Sequence, residues 1–364
     1  MGNTDSKTLR TVGNTLQIES SSPPVLPSVE TVLQKLGNGY FGDVWHAKWT
    51  PPGEVQSEDV AVKVPNRRTK AERALLTEFL REGELLGRLK HPNVVRVRLA
   101  ESHDGLPYIV MELVQGGCTL LDMAKNIPFF TTLSSETLRA SFCMMGAGVA
   151  AGMDYLQKQF IVHSDLAARN ILVMNSGKCR ITDLGFTRQM VGKTPLGSIP
   201  FKNHEYVYMA NSQGTYALPA LWSAPETFRG PATSRSDVWS LGVVLWEVMS
   251  HGATPYESVN GIITPRGVSV SCLRTFLEDG GRLPKRETAL GEVYPLMLEI
   301  WRLKPEERPS FQKIQEKLEI LACGGRWKFY QEVAKLVATQ YLESQWTFVV
   351  LLFGVAWWWY WRQA

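Results

Sequence analysis

Around residues 113 to 117 the hydrophobic pattern of the chain changes period, and this change limits the fold more than any other feature. On the N-terminal side the apolar residues come in short runs, Val32 to Leu36, Val44 to Trp49 and Val60 to Val64, separated by turns rich in Gly and Pro. Such β-branched and aromatic runs bounded by turn formers predict strands. From Lys70 to Leu89 the residues Leu75, Leu76, Phe79, Leu80, Leu86 and Leu89 form an apolar stripe, and Pro92 follows, which predicts a helix. Val94 to Leu99 and Pro107 to Leu113 read as two more strands. Beyond Gly116 and Gly117 the runs lengthen: Leu138 to Leu156 is apolar and free of Pro, and Ser236 to Met249 has the same character. Shorter helical patterns follow near Val270 to Leu277, Val293 to Leu303 and Phe311 to Leu321. The expected fold class is α+β in two lobes: a small five-stranded β lobe with one long helix, and a larger, mainly helical lobe. A nucleotide is expected in the cleft between them.

Three constellations carry chemistry. The first, Gly37-Asn38-Gly39-Tyr40-Phe41-Gly42-Asp43-Val44, is a turn between two strands. Its glycines let backbone N–H groups approach phosphates with no Cβ in the way. Alone it is weak evidence, because such hairpins are more often ordinary tight turns, and it precedes a strand where a dinucleotide-binding motif would precede a helix. The second is Lys63 in the strand Ala61-Val62-Lys63-Val64, 19 residues after Val44. A lysine there is ordinarily an edge residue. It becomes functional if Glu82 on the following helix reaches it and holds its ammonium against phosphates. Glu84 sits two positions on, about 200° round the helix, so both acids cannot face the cleft.

The third constellation is the strongest. His163-Ser164-Asp165-Leu166-Ala167-Ala168-Arg169-Asn170 is followed by Ile181-Thr182-Asp183-Leu184-Gly185, with 13 residues from Asn170 to Asp183. Moving a γ-phosphoryl group takes a carboxylate to orient the incoming hydroxyl and oxygen ligands for Mg²⁺, a hard cation. Asp165 suits the first task; Asn170 and Asp183 suit the second.

These segments resemble the protein kinase family. The resemblance extends through Ser223-Ala224-Pro225-Glu226, the run Ser236 to Gly242, and Trp301, Pro305, Arg308 and Pro309, covering residues 31 to 321 in the family's order. It implies a two-lobed kinase domain, with lobes at 31–113 and 117–321, that uses ATP and Mg²⁺, with Mn²⁺ as an alternative ion. The resemblance gives Lys63 and Glu82 the phosphate-anchoring pair, Asp165 the catalytic carboxylate, and Asn170 and Asp183 the metal. Leu36, Gly37, Gly39, Gly42 and Val44 would cover the nucleotide. Val44 and Ala61 would lie above the adenine and Leu172 below it. Met111 would stand at the gatekeeper position, with the backbone of Glu112 to Val114 meeting the base. A Glu226–Arg308 ion pair and an Asp237 anchor for the catalytic loop would be structural.

Ala167-Ala168-Arg169 resembles the tyrosine-specific branch, as do Leu218, Pro219 and Trp222, and Arg169 joins the catalytic set on that ground. Taken whole, the catalytic domain looks similar to Src-like and related cytoplasmic tyrosine kinases, which implies protein substrates presenting tyrosine. Three positions depart from the pattern. Ser164 replaces the arginine that normally pairs with a phosphorylated activation-loop residue. Leu184 replaces a Phe and is expected to pack under Leu86 and beside His163. Leu221 replaces a basic residue of the substrate platform. Ser164 and Leu221 keep a catalytically weak scaffold as the alternative, against which all five polar site residues are present. Tyr206, Tyr208 and Tyr216 are candidates for autophosphorylation.

The ends differ from the middle. Residues 1–30 are polar and read as a leader, but Met1-Gly2-Asn3-Thr4-Asp5-Ser6 fits N-myristoylation of Gly2. One acyl chain holds a membrane only marginally. A second signal is offered by residues 346–361, where Thr347 is the one clearly polar residue and five of the chain's 12 tryptophans gather, after a helical linker at 322–345. Sixteen residues make about 24 Å of helix, short of the roughly 30 Å hydrocarbon layer, so a tail anchor would need local thinning. The expected location is the cytoplasmic face of a membrane. The 39 basic and 35 acidic residues are spread along the chain apart from Arg67, Arg68, Lys70 and Arg73, so nucleic acid is not expected as a partner. Five scattered cysteines without metal-ligand spacing read as reduced thiols.

Overall fold

A computed structural model describes residues 29–38, 42–66, 73–103, 106–116, 118–126, 135–184, 188–189, 215–216, 220–265, 267–286 and 291–323. Residues 1–28 of the leader, residues 346–361, Gly39, Tyr206 and Tyr208 lie outside them, as does the side chain of Tyr216; the last two residues of the expected leader, Val29 and Glu30, already belong to the first strand. Among the described residues no helix is long and apolar enough to cross a membrane.

The N-terminal lobe is an antiparallel sheet of β1 (Val29–Asn38), β2 (Gly42–Trp49), β3 (Glu58–Pro65), β4 (Val97–His103) and β5 (Leu106–Glu112), ordered β1-β2-β3-β5-β4. Helix α1 (Arg73–Gly87) packs on one face. Register sorts the side chains by the two-residue period of a strand. Val44 pairs with Lys63, Lys63 with Ile109, and Ala61 with Met111, so these residues share one face. Trp45, Ala47, Val60, Val62, Val64, Tyr108 and Val110 form a separate buried cluster on the other. On α1 the stripe runs Phe79, Gly83, Leu86. The expected Leu80 does not belong to it, being 38% exposed one position, and so about 100°, off that line.

The strand expected from Val94 starts at Val97 instead. Val94 and Val95 pair with the other lobe: Val95 N–H donates to Ile181 O at 2.9 Å, and Ile181 N–H to Asn93 O at 2.8 Å. Their burial comes from this cross-lobe bridge, which local pattern could not reveal.

The C-terminal lobe continues through β6 (Cys118–Thr119), α2 (Leu120–Lys125), α3 (Ser135–Lys158), β7 (Ile161–Val162), β8 (Ile171–Val173), β9 (Cys179–Ile181), β10 (Arg188–Gln189) and β11 (Thr215–Tyr216). It closes with α4 (Ser234–Met249), β12 (Ile263–Thr264), β13 (Gly267–Ser269), α5 (Val270–Glu278), α6 (Tyr294–Ile300) and α7 (Phe311–Cys323). Helix α3 runs through the core and needs a glycine at one crossing. A Cβ on Gly152 would lie 2.7 Å from Ile181 Cδ1 and 3.0 Å from Asn93 O. Helix α4 opens with a capping box between Thr233 and Ser236, and nearly all its residues are buried. Helix α6 ends at Ile300, short of the expected Leu303, and a turn leads into Pro305. The expected Glu226–Arg308 pair is present and bidentate, at 2.6 and 2.8 Å.

Candidate active site

Burying Lys63 on β3 requires a negative partner. Its Nζ lies 3.2 Å from Asp183 Oδ1, which follows β9, so this contact ties the sheet to the helical lobe. It also stands 5.9 Å from the Phe79 ring of α1. The backbone of Glu82 lies on α1, but its side chain is outside the described residues. Glu84 is exposed, which removes it as the rival.

The catalytic-loop candidates sit between β7 and β8. Asp165 is 7% exposed, and both of its oxygens are held: Arg169 donates to Oδ1 at 2.5 Å and Asn170 Nδ2 to Oδ2 at 2.9 Å. Asn170 Nδ2 also donates to Asp165 O at 2.8 Å, which turns the amide oxygen the other way. Burial pushes the Asp165 carboxyl up to about 6, with Arg169 opposing. The group is therefore mostly ionised at neutral pH and has acceptor capacity left for a hydroxyl.

Two residues here hold left-handed backbone without being glycine, Ser164 at φ 66° and Asp183 at φ 60°. Such conformations cost on the order of 1 kcal/mol or more and persist where the surroundings enforce them. Asp237, in the first turn of α4, supplies the enforcement for Ser164. Its carboxylate accepts the His163 N–H at 2.7 Å and the Ser164 N–H at 2.9 Å, as the sequence led us to expect. Burial pushes Asp237 up to about 7 against these two donors, and buried His163 is pushed down to about 4.

The remaining candidates fall around this core. Val44 is half-buried, Ala61 is 8% and Met111 5% exposed, and Val114 is buried. Leu172, on β8, is half-buried beside β6. The Glu112 N–H is already committed to Arg96 O at 2.9 Å, so a base would meet other backbone groups of residues 112–114. Leu36 and Gly37 lie on β1, where Gly37 pairs with Val44; a Cβ on Gly37 would meet nothing within 4 Å. On Gly42, by contrast, a Cβ would clash with Val64 O and lie 2.9 Å from the Phe79 ring. Leu184 is buried in the same cluster as Leu86. Leu221 is 1% exposed, so it belongs to the core and offers no surface to a peptide.

Sequence reading missed Glu247. It is 1% exposed, and its Oε2 accepts the Ala168 N–H at 3.0 Å and the Trp222 indole N–H at 2.7 Å. The available signal was a lone acid in the otherwise apolar run Leu241 to Met249, which had to find a partner.

A five-stranded lobe bridged to a helical lobe, with a lysine and three oxygen-bearing side chains at their junction, is the two-lobed protein kinase fold. The family model described as protein tyrosine and serine/threonine kinase matches residues 31–318. Human tyrosine-protein kinase Srms is 35% identical over 289 residues, 79% of this chain and 51% of that protein. Human tyrosine-protein kinase FRK is 31% identical over 292 residues, 79% of this chain and 50% of that protein. The transforming protein Fps, a tyrosine-protein kinase of avian sarcoma virus strain PRCII, is 33% identical over 286 residues, 78% and 47%. The chain belongs to the protein tyrosine and serine/threonine kinase family, and spans about half the length of the curated relatives it matches.

The family uses ATP with a divalent metal ion. Among the described residues no three His, Cys, Asp or Glu side chains form a metal cage. A hard ion takes oxygen ligands, and Asp183 and the amide oxygen of Asn170 are residues that could hold one.

Proposed function

We propose that this chain is a protein-tyrosine kinase, which transfers the γ-phosphate of ATP to tyrosine hydroxyls on proteins. The observation that carries the reading is the buried Asp165 carboxylate, held on both oxygens by Arg169 and Asn170, in a loop whose neighbour Asp183 pairs with Lys63. ATP brings the phosphoryl group, and its divalent ion, with Mg²⁺ the best match and Mn²⁺ the alternative, neutralises charge on the phosphates. Asp165 accepts the hydrogen bond of the incoming hydroxyl and so aims its oxygen lone pair. Arg169 and Asn170 keep that carboxylate in place. Asn170 and Asp183 would hold the ion; Lys63, with Glu82 as its expected partner, would hold phosphate oxygens. Leu36, Gly37, Gly39, Gly42, Val44, Ala61, Met111, Glu112, Val114 and Leu172 would enclose the nucleotide. The preference for tyrosine is supported by Ala167-Ala168-Arg169 and by three relatives that are tyrosine-protein kinases. Phosphotransfer to a mixed pool of tyrosine and serine peptides tests it, with Asp165→Asn as control. Tyrosine-only labelling that the substitution abolishes is expected. Serine labelling, or equal labelling by the variant, would overturn the reading.

The kinase domain is assigned to residues 31–321, and membrane attachment at the cytoplasmic face to Gly2 myristate together with residues 346–361. Sequence alone supports the attachment. Fractionation of cells expressing the chain with and without residues 346–364, and with Gly2→Ala, is expected to release the enzyme from membranes; an unchanged distribution in all variants would sink the idea.

A further inference from the structure

We infer that Glu247 is a positioning residue for phosphotransfer, holding Arg169 and through it Asp165 in working geometry. The inference rests on the kinase reading above and deepens it. Helix α4 is buried, and near its C-terminal end Glu247 turns one oxygen, Oε2, toward two donors from distant parts of the chain. One is the Ala168 backbone N–H in the catalytic loop; the other is the indole N–H of Trp222, just before the Ala224-Pro225-Glu226 turn. The two are 54 residues apart in sequence, and this single atom fixes them against each other.

What they clamp is Arg169. Its guanidinium lies 4.4 Å from the Trp222 ring centre, a stacked cation–π distance. The same guanidinium donates to Asp165 Oδ1 at 2.5 Å. Glu247 therefore fixes both the backbone one residue before Arg169 and the aromatic surface on which the Arg169 side chain rests. Ser240 Oγ reinforces the arrangement by donating to Trp222 O at 2.8 Å. A carboxyl buried this deeply in an apolar helix is destabilising unless it is hydrogen-bonded, and the Ala168 and Trp222 N–H groups supply its partners. Burial pushes Glu247 up to about 7, and the charges of Arg169 and Lys125 pull more weakly the other way.

Both bonds end on one oxygen, so an amide oxygen can replace it, which makes Glu247→Gln the conservative variant. Glu247→Leu removes the acceptor; Trp222→Phe keeps an aromatic surface but deletes the indole donor. Steady-state phosphotransfer to a tyrosine peptide is the assay. Glu247→Leu is expected to lower kcat by roughly 10- to 100-fold, the equivalent of one hydrogen bond to a charged group, with KM for ATP unchanged. Trp222→Phe is expected to fall between that variant and wild type, and Glu247→Gln to recover most of kcat. In an Arg169→Ala background, Glu247→Leu should cost no more than about threefold further, because its route to Asp165 is already cut. Full additivity, or a wild-type kcat in Glu247→Leu, would overturn the inference. Should Glu247→Leu not fold, the Trp222→Phe and Glu247→Gln values decide alone: a wild-type kcat in Trp222→Phe, or no recovery in a folded Glu247→Gln, rejects the role. Absence of transfer by the wild-type chain would instead reject the kinase reading itself.

Discussion

Replacing Glu226 by Gln strips the counter-charge from a guanidinium that has nowhere else to go. The Arg308 side chain is 0% exposed, and all five of its N–H donors are used. Nε donates to Arg302 O at 2.9 Å; Nη1 to Glu226 Oε1 at 2.6 Å and Arg235 O at 2.8 Å; Nη2 to Glu226 Oε2 at 2.8 Å and Leu303 O at 3.2 Å. Breaking a buried pair from one side costs about 3–5 kcal/mol, because it leaves the other charge uncompensated. Glu226 is 27% exposed, so water reaches the amide that replaces the carboxylate and the lower figure, about 3 kcal/mol, applies. At about 2 °C per kcal/mol in a domain of this size, the unfolding midpoint should drop by roughly 6 °C. Arg308→Met should cost a similar amount by stranding the carbonyls of Arg302, Leu303 and Arg235. The double variant loses the charge conflict, so urea denaturation should give a coupling of about 2 kcal/mol. Single losses that add to within about 0.5 kcal/mol would refute the account, since the two side chains would then not depend on each other.

The close approach of Gly42 to Val64 O and the Phe79 ring makes Gly42→Ala an overpacking change, and about 1–3 kcal/mol of lost stability is expected in urea melts; an unchanged midpoint would show the strand moving freely away from α1. Glu247 gives a pH test. Its folded value of about 7 lies above the unfolded 4.5, so its contribution to stability is complete below about 4.5 and is lost as pH rises through 7. Between pH 6 and 8 the wild type should lose about 1.4 kcal/mol relative to Glu247→Gln, and parallel stability curves for the two would contradict the raised value.

How much of this was legible in the sequence depended on distance along the chain. The strands β1, β2, β3 and β5, the long helices α3 and α4, and the loop from His163 to Asn170 announce themselves because their signals are local: alternation, long apolar runs, and residue types at fixed spacing. Val94 and Val95 misled because their backbone partner is Ile181, 87 and 86 residues on, and apolar pattern alone does not say which sheet a strand joins. Short pieces such as β6 and β8 are two or three residues long, too brief for any period to register. Leu80 is as apolar as its neighbours in α1, so hydrophobicity alone cannot separate it from the buried line that Phe79 defines. In the site, Asp165, Asn170 and Asp183 were readable as a set, while Glu247 was not, because its two donors come from 79 and 25 residues away.

Helix α4 connects these observations. Its two buried acids, ten residues apart, grip opposite ends of the catalytic loop, Asp237 at His163 and Ser164, Glu247 at Ala168. Ten residues of helix make about 15 Å, so a single helix sets the separation of the loop's two anchors. The two ends of the helix are not equivalent. Asp237 lies in the first turn, where the helix dipole favours a negative charge, and its two oxygens each take one backbone N–H; Glu247 lies in the last turn, where the dipole opposes charge, and puts both donors on one oxygen. The first arrangement holds the left-handed turn at Ser164 with one backbone N–H on each carboxyl oxygen. The second holds Ala168 and Trp222 by hydrogen bonds that a neutral carboxyl or amide can also accept. Burying both acids costs desolvation that their hydrogen bonds offset, and the same bonds fix the backbone of the catalytic loop before any substrate arrives.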